Sequence, residues 1–187
     1  VNYWEAFIGQ LTEEQSQNLL NFGIEQTDVD FVEDFIIGYR KFYSNPKESI
    51  TFFNKLNEDE LYEIKFFKAR CYEVLEDYEK AIETYKSYLD SPYFKVDENL
   101  EQASVNSFYI NHTIASLYTK LKQYENANIY FDKILGEMDF NDYLDNFDAS
   151  TNQEIKVFLM DYVETLEQLG KHDKANEVVE KIRTFFS

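Results

Sequence analysis

Between residues 69 and 89 the chain reads ARCYEVLEDYEKAIETYKSYL. Its small and apolar positions fall at Ala69, Tyr72 and Leu75, then at Ala81, Ile82, Tyr85, Tyr88 and Leu89. Steps of three and four predict two helices, with the acidic pair Glu76-Asp77 at the seam between them. Alanine lets two helix backbones approach, and the aromatic fills the space beside it. The frame recurs at Ala115, Tyr118, Ala127 and Phe131, and more weakly at Val163, Leu166, Ala175 and Val179, where Gly170 breaks between the helices. In each unit the two small positions are twelve residues apart: 69 to 81, 115 to 127, 163 to 175. A degenerate earlier copy, FVEDFIIGYRKFYSNPKESITFFNKL, has Pro46 in the seam and Ser49 where the others have Ala.

These units resemble tetratricopeptide repeats over about residues 30 to 187. The second small position and its partner aromatic carry the likeness; the large aromatic that usually opens the first helix is missing from every copy. The resemblance implies an all-α fold, a right-handed α-α superhelix of TPR-like helix pairs with longer-than-standard repeats. About four pairs are expected, a degenerate one at 30–58 and then 60–90, 102–138 and 153–187, behind an N-terminal helical cap at 1–29. Within that cap a short helix is predicted near Tyr3–Ile8 and another across Thr12–Phe22, where Thr12 and Gln15 form a capping box. Ala81 to Ala127 is 46 residues and Ala127 to Ala175 is 48, against about 34 for the standard repeat. The inner spacing stays at twelve, so the surplus falls between units, on 90–101 and 137–154. Both stretches mix turn formers with acids and read as long connections or as helices extended past the usual end.

Composition removes whole classes of function. Eighteen basic side chains face 36 acidic ones, a formal charge of -18. A nucleic-acid surface needs clustered Lys and Arg to release counterions, so direct nucleic-acid binding is not expected, nor docking on an anionic membrane. With 44% hydrophobic and 18% aromatic residues the chain is no disordered acidic tail. One cysteine, Cys71, no membrane-length apolar run and no basic stretch ahead of an apolar one at the start point to a reducing, cytoplasmic setting.

Candidate chemistry adds little. The acids Glu137, Asp139, Asp142, Asp145 and Asp148 suggest a calcium loop, but a frame starting at Asp139 puts Tyr143, Leu144 and Ser150 where an oxygen ligand, Gly and Glu belong. A solvated acidic connection fits better. His112 and His172 are sixty residues apart, and neither has a ligand-like partner at i+3 or i+4. Cys71 sits beside a packing alanine and reads as a small buried residue. Asn111-His112-Thr113 matches a glycosylation sequon but falls within a predicted helix. No nucleophile, phosphate-loop or metal motif occurs. The chain therefore reads as non-enzymatic, without catalytic residues, metal or cofactor.

In repeats of this kind the first helix of each pair lines the concave face, and the positions three before and one after its small residue point inward. Carried onto this chain, the resemblance nominates Phe66 and Arg70, His112 and Ser116, and Met160 and Glu164. Tyr109 and Lys120 continue the face. A polar residue on an inward face wants a partner, which singles out Arg70, His112, Ser116 and Lys120. The carboxylate clamp that holds chaperone C-termini is not present, because Phe66, Arg70, Thr113, Val157 and Asp161 stand where Lys, Asn and Arg would be needed.

The stretches NSFYINHTIASLYTKLKQYENANIYFDKILGEM and IKVFLMDYVETLEQLGKHDKANEVVEKI also resemble the peptide-sensing domains of Gram-positive quorum-sensing regulators, the Rap, NprR, PlcR and PrgX group. That resemblance implies a bacterial, peptide-binding groove used in transcription regulation, with dimerisation through the array. In that group Asn on the inner face holds the peptide backbone; His112 and Ser116, with Asn111 beside them, occupy the matching positions. No helix-turn-helix is recognisable in residues 1 to 60. The expected partner is thus a peptide or protein segment in the groove. The alternative is an assembly scaffold whose acidic loops or convex surface hold a basic protein.

Overall fold

The computed structural model describes residues 29–58, 63–91, 101–137 and 149–186. The predicted cap helices, the Thr12–Gln15 box and most of the two acidic connections lie outside them. Every regular element among the described residues is helical: α1 (Val29–Lys41), α2 (Pro46–Phe53), α3 (Glu63–Val74), α4 (Tyr78–Leu89), α5 (Glu101–Lys120), α6 (Tyr124–Glu137), α7 (Ala149–Gln168) and α8 (His172–Phe186). None is long and apolar enough to cross a membrane. The chain divides into two compact units, Val1–Lys95 and Val96–Ser187.

In the first unit α1 packs on α2, α2 on α3, and α3 on α4. In the second, α5 packs on α6 and α7 on α8, while α7 also meets both α5 and α6. The first helices of the second unit, α5 and α7, run 20 residues each, against 12 for α3. Part of the repeat surplus is therefore helix added ahead of the shared frame.

Three pairs turn in the same way. Glu76, Lys122 and Gly170 occupy one position of the frame, seven residues after the first small residue, and all three are left-handed, with φ of 59°, 57° and 67°. In each, the next amide reaches back to close the helix: Asp77 N–H to the Tyr72 carbonyl, Gln123 to Tyr118 and Lys171 to Leu166, each at 2.9 Å. This double-bonded cap satisfies the last carbonyls of the first helix. Asp77 then caps α4 by accepting from the Lys80 amide. Glycine takes a left-handed conformation without penalty, whereas a side chain makes it costly. A Cβ on Gly170 would touch nothing within 4 Å, so Gly170→Ala tests the backbone alone. It is expected to lose about 1 kcal/mol, and Lys122→Gly to gain about 0.5 kcal/mol, in urea unfolding.

The first pair differs. Between α1 and α2 no left-handed residue intervenes, and Asn45 caps α2 directly, accepting from the Glu48 amide, with Pro46 opening the helix. The crossing is made by Gly38 and Ser49, eleven residues apart, with the buried Ser49 hydroxyl donating to the Gly38 carbonyl at 2.6 Å. A Cβ on Gly38 would come within 2.8 Å of the Phe53 ring, so this contact requires glycine. Elsewhere the predicted crossings hold: Ala69, Ala81, Ala115, Ala127 and Ala175 are fully or almost fully buried. Leu75, in contrast, belongs to the exposed turn after α3 rather than to a packed face. Seven Phe, Ile, Leu and Cys side chains around Phe67 form one core, and an aromatic group including Phe108, Phe131, Phe158 and Tyr162 forms the other.

Candidate functional site

One slot recurs between neighbouring first helices, and the two units fill it with opposite chemistry. Phe67 lies two residues before Ala69 and packs between α1 side chains, its ring 6.0 Å from Phe35 and 5.5 Å from Tyr39. Those two stand three before and one after Gly38. In the second unit Asp161 lies two residues before Val163 and meets the corresponding α5 pair. His112 Nε2 is 3.1 Å from Asp161 Oδ2, and the Ser116 hydroxyl donates to the same oxygen at 3.0 Å. One turn further on, Thr119 and Thr165 share a hydrogen bond of 3.2 Å. The seam between α5 and α7 is thus a polar ladder where the first unit has rings packed edge to face.

This gives His112 and Ser116 their partner within the chain. It also bears on catalysis, because Ser116 donates to the carboxylate rather than to the imidazole. Nucleophile activation needs that hydroxyl bonded to the base, so Ser116, His112 and Asp161 do not form such a relay.

The rest of the nominated face is open to different degrees. On α7, Val157 and Met160 are 42% and 56% exposed, and Glu164 is exposed. On α5, Tyr109 and Lys120 are exposed, with Thr113 half-buried between them. Residues 109, 112, 113, 116 and 120 share one helix face, as do 157, 160, 161 and 164. The Asp161 bonds hold the two stripes side by side. In the first unit Phe66 is half-buried and packs on Phe67, Tyr85 and Tyr88 at 5.8–6.2 Å between ring centres. Arg70 donates to Glu73 at 3.1 Å, and Glu73 also accepts from the Tyr85 hydroxyl at 2.9 Å.

Sequence reasoning missed a second polar knot. Asp132 of α6 accepts from Asn128 and Lys174, each at 2.8 Å, and from the hydroxyl of the buried Tyr162. Burial alone would raise the Asp132 pKa, but the bonds from Lys174 and Tyr162 outweigh it and hold the carboxyl below its usual range. Burial, reinforced by the Asp132 hydrogen bond, pushes Tyr162 up to about 12, and the bond to Asp132 raises Lys174. The raised Tyr162 and Lys174 favour their protonated forms in the folded chain. Their contribution is whole below about pH 10 and is lost as pH climbs toward 12. The lowered Asp132 contributes above about pH 4 and loses that contribution as pH falls further. The stability difference between the wild type and Tyr162→Phe should accordingly stay level from about pH 6 to 9 and shrink from about pH 10 upward in urea titrations. A difference that grows with pH would refute the assignment.

Cys71 is fully buried, and that burial pushes its thiol up to about 11 against the opposing Ser49 hydrogen bond and Arg70 charge. A thiol so protonated is a poor nucleophile. Asn111 is buried and its amide donates to the Ser107 carbonyl and hydroxyl, so its sequon is not an accessible acceptor in the folded chain. His172 lies near Glu167 at 2.8 Å, exposed. No group of three His, Cys, Asp or Glu side chains able to hold a metal ion occurs among the described residues.

Helix pairs crossing at small residues, with capped turns at a fixed place in the frame, define a helical-repeat protein. Residues 62–91 and 108–136 match the model of the tetratricopeptide repeat, spanning the α3–α4 pair and much of α5–α6. Repeats of this kind generally mediate binding to proteins or peptides and are typically non-catalytic. Comparison with curated proteins and with solved structures found no match.

Proposed function

We propose that the chain is a non-catalytic binding module whose second unit holds an extended peptide or protein segment on the face shared by α5 and α7. The observation that carries this reading is the placement of the exposed Tyr109, Val157 and Met160 on the two stripes that the half-buried Asp161 ties together. Apolar contacts supply affinity, and the polar ladder with Lys120 and Glu164 supplies orientation. The first unit offers Phe66 and Arg70 at the same repeat positions as His112 and Ser116. Because Met160 is exposed, Met160→Glu should leave the thermal midpoint unchanged, whereas Tyr109→Ala removes a ring more than half covered and should lower it slightly. In fluorescence anisotropy against a panel of short peptides, each should weaken binding about tenfold. Binding indifferent to both substitutions rejects the face. A basic protein held at low salt, released at high salt and indifferent to them would favour the acidic connections instead.

The likeness in repeat style to peptide-sensing regulators supports placing such a module in a bacterial regulator of transcription. The encoding gene is then expected to carry a helix-turn-helix, beside a small gene for an exported peptide. The mass of the chain in solution tests the dimer implied by the same likeness. Finding neither genetic feature removes this finer reading.

A further inference from the structure

The one acid placed between the two stripes is built into the seam rather than laid on the surface. Asp161 is anchored by Ser116 and His112, and both contacts end on Oδ2, while a third of its side chain stays exposed. Val157, Met160 and Glu164 share its face of α7. A carboxylate two-thirds covered is poorly hydrated, so a cation reaching it gains more than at an open surface. We propose that Asp161 is the specificity-determining residue of this face and selects peptides with a basic side chain set between apolar ones; this rests on the peptide-binding reading above.

Two features of the site define that occupant. The carboxylate sits beside exposed apolar side chains, so the approaching cation needs an aliphatic stem that lies on Val157 and Met160 while its head reaches Asp161. A lysine or arginine side chain has such a stem; a terminal amine does not. Since Oδ2 already takes two contacts, a guanidinium fork gains no second equivalent oxygen, and arginine loses its usual advantage over lysine. Glu164, one turn along α7, adds negative charge on the same side, and Lys120 lies one turn beyond Ser116 on α5.

The test uses four dye-labelled nonapeptides, acetylated and amidated, with one apolar frame and Lys, Arg, acetyl-lysine or Glu at the centre. Fluorescence anisotropy should show the Lys and Arg peptides binding about equally, and at least about tenfold tighter than the acetyl-lysine peptide. The Glu peptide should bind weakest. Asp161→Asn, checked for unchanged circular dichroism, should remove the preference, whereas Met160→Ser, which removes the apolar contact without adding charge, should weaken every peptide. Because acetylation changes only the ligand, the comparison stands even where the variant is perturbed. Equal binding of the Lys and acetyl-lysine peptides, still sensitive to Met160→Ser, overturns the charge selection and leaves the face intact. A Lys preference that survives Asp161→Asn also overturns it, assigning the effect to the chain's net charge. Absence of binding by all four, or binding of all four that is indifferent to Met160→Ser, overturns the face itself.

Discussion

Phe67→Asp is expected to unfold the first unit. The substitution copies into that unit the residue that fills the equivalent slot in the second, yet Phe35 and Tyr39 stand there in place of His112 and Ser116. Around the Phe67 ring lie Phe35, Tyr39, Phe42 and Phe53, with centroids 5.5–6.3 Å away. The change removes a buried aromatic, worth about 3–5 kcal/mol on truncation. It also buries a carboxylate among aromatic rings, a cost of about the same size. The combined loss, about 5 kcal/mol or more, is comparable to the whole stability of a small domain. Hydrogen exchange should show protection lost in α1–α4, and circular dichroism a drop in helix content. Retention of native protection in α2 and α3 would show that the ring is not what holds the seam.

The second large effect is expected from Phe131→Ala. Phe131 is fully buried on α6, with ring centroids 5.5 Å from Phe158 and 5.2 Å from Tyr162, so it joins the α5–α6 pair to α7. It is the aromatic that follows the second small residue, Ala127. Truncation leaves a cavity that the neighbouring rings can only partly close, at a cost of about 3–5 kcal/mol in urea unfolding. Repeat arrays are stabilised largely by contacts between neighbours, so the loss should register as faster exchange in α5–α8. The conservative Phe131→Leu should recover more than half of it.

The two slots show how differently the sequence reports packing and site. Ala81, Ala127 and Ala175 were legible because a close helix crossing constrains residue size at a fixed spacing from a local turn. The aromatic partners Tyr85 and Phe131 were legible for the same reason, since the gap beside a small residue has to be filled. Gly38 was not, because the first pair lacks the left-handed residue and its crossing falls eleven residues from Ser49 instead of twelve. The left-handed turn was visible only at Gly170; Glu76 and Lys122 adopt it without glycine, at a local cost that the rest of the pair offsets.

The face itself was nominated from the repeat frame, but its chemistry was not. Asp161 appeared only as a residue unsuited to a carboxylate clamp, and nothing local links it to His112 and Ser116, which lie 49 and 45 residues away in the chain. Asp132 was similarly silent, one acid among 36, until Tyr162 and Lys174 were found against it. By itself the sequence determined the all-helical class and the place of the alanine crossings, because periodicity and side-chain size act locally. Only the tertiary structure decided which polar groups meet. A hydrogen bond between adjacent repeats depends on how two helices are set side by side, and so the contacts of His112 and Ser116 converge on Asp161, a residue the repeat frame had not singled out.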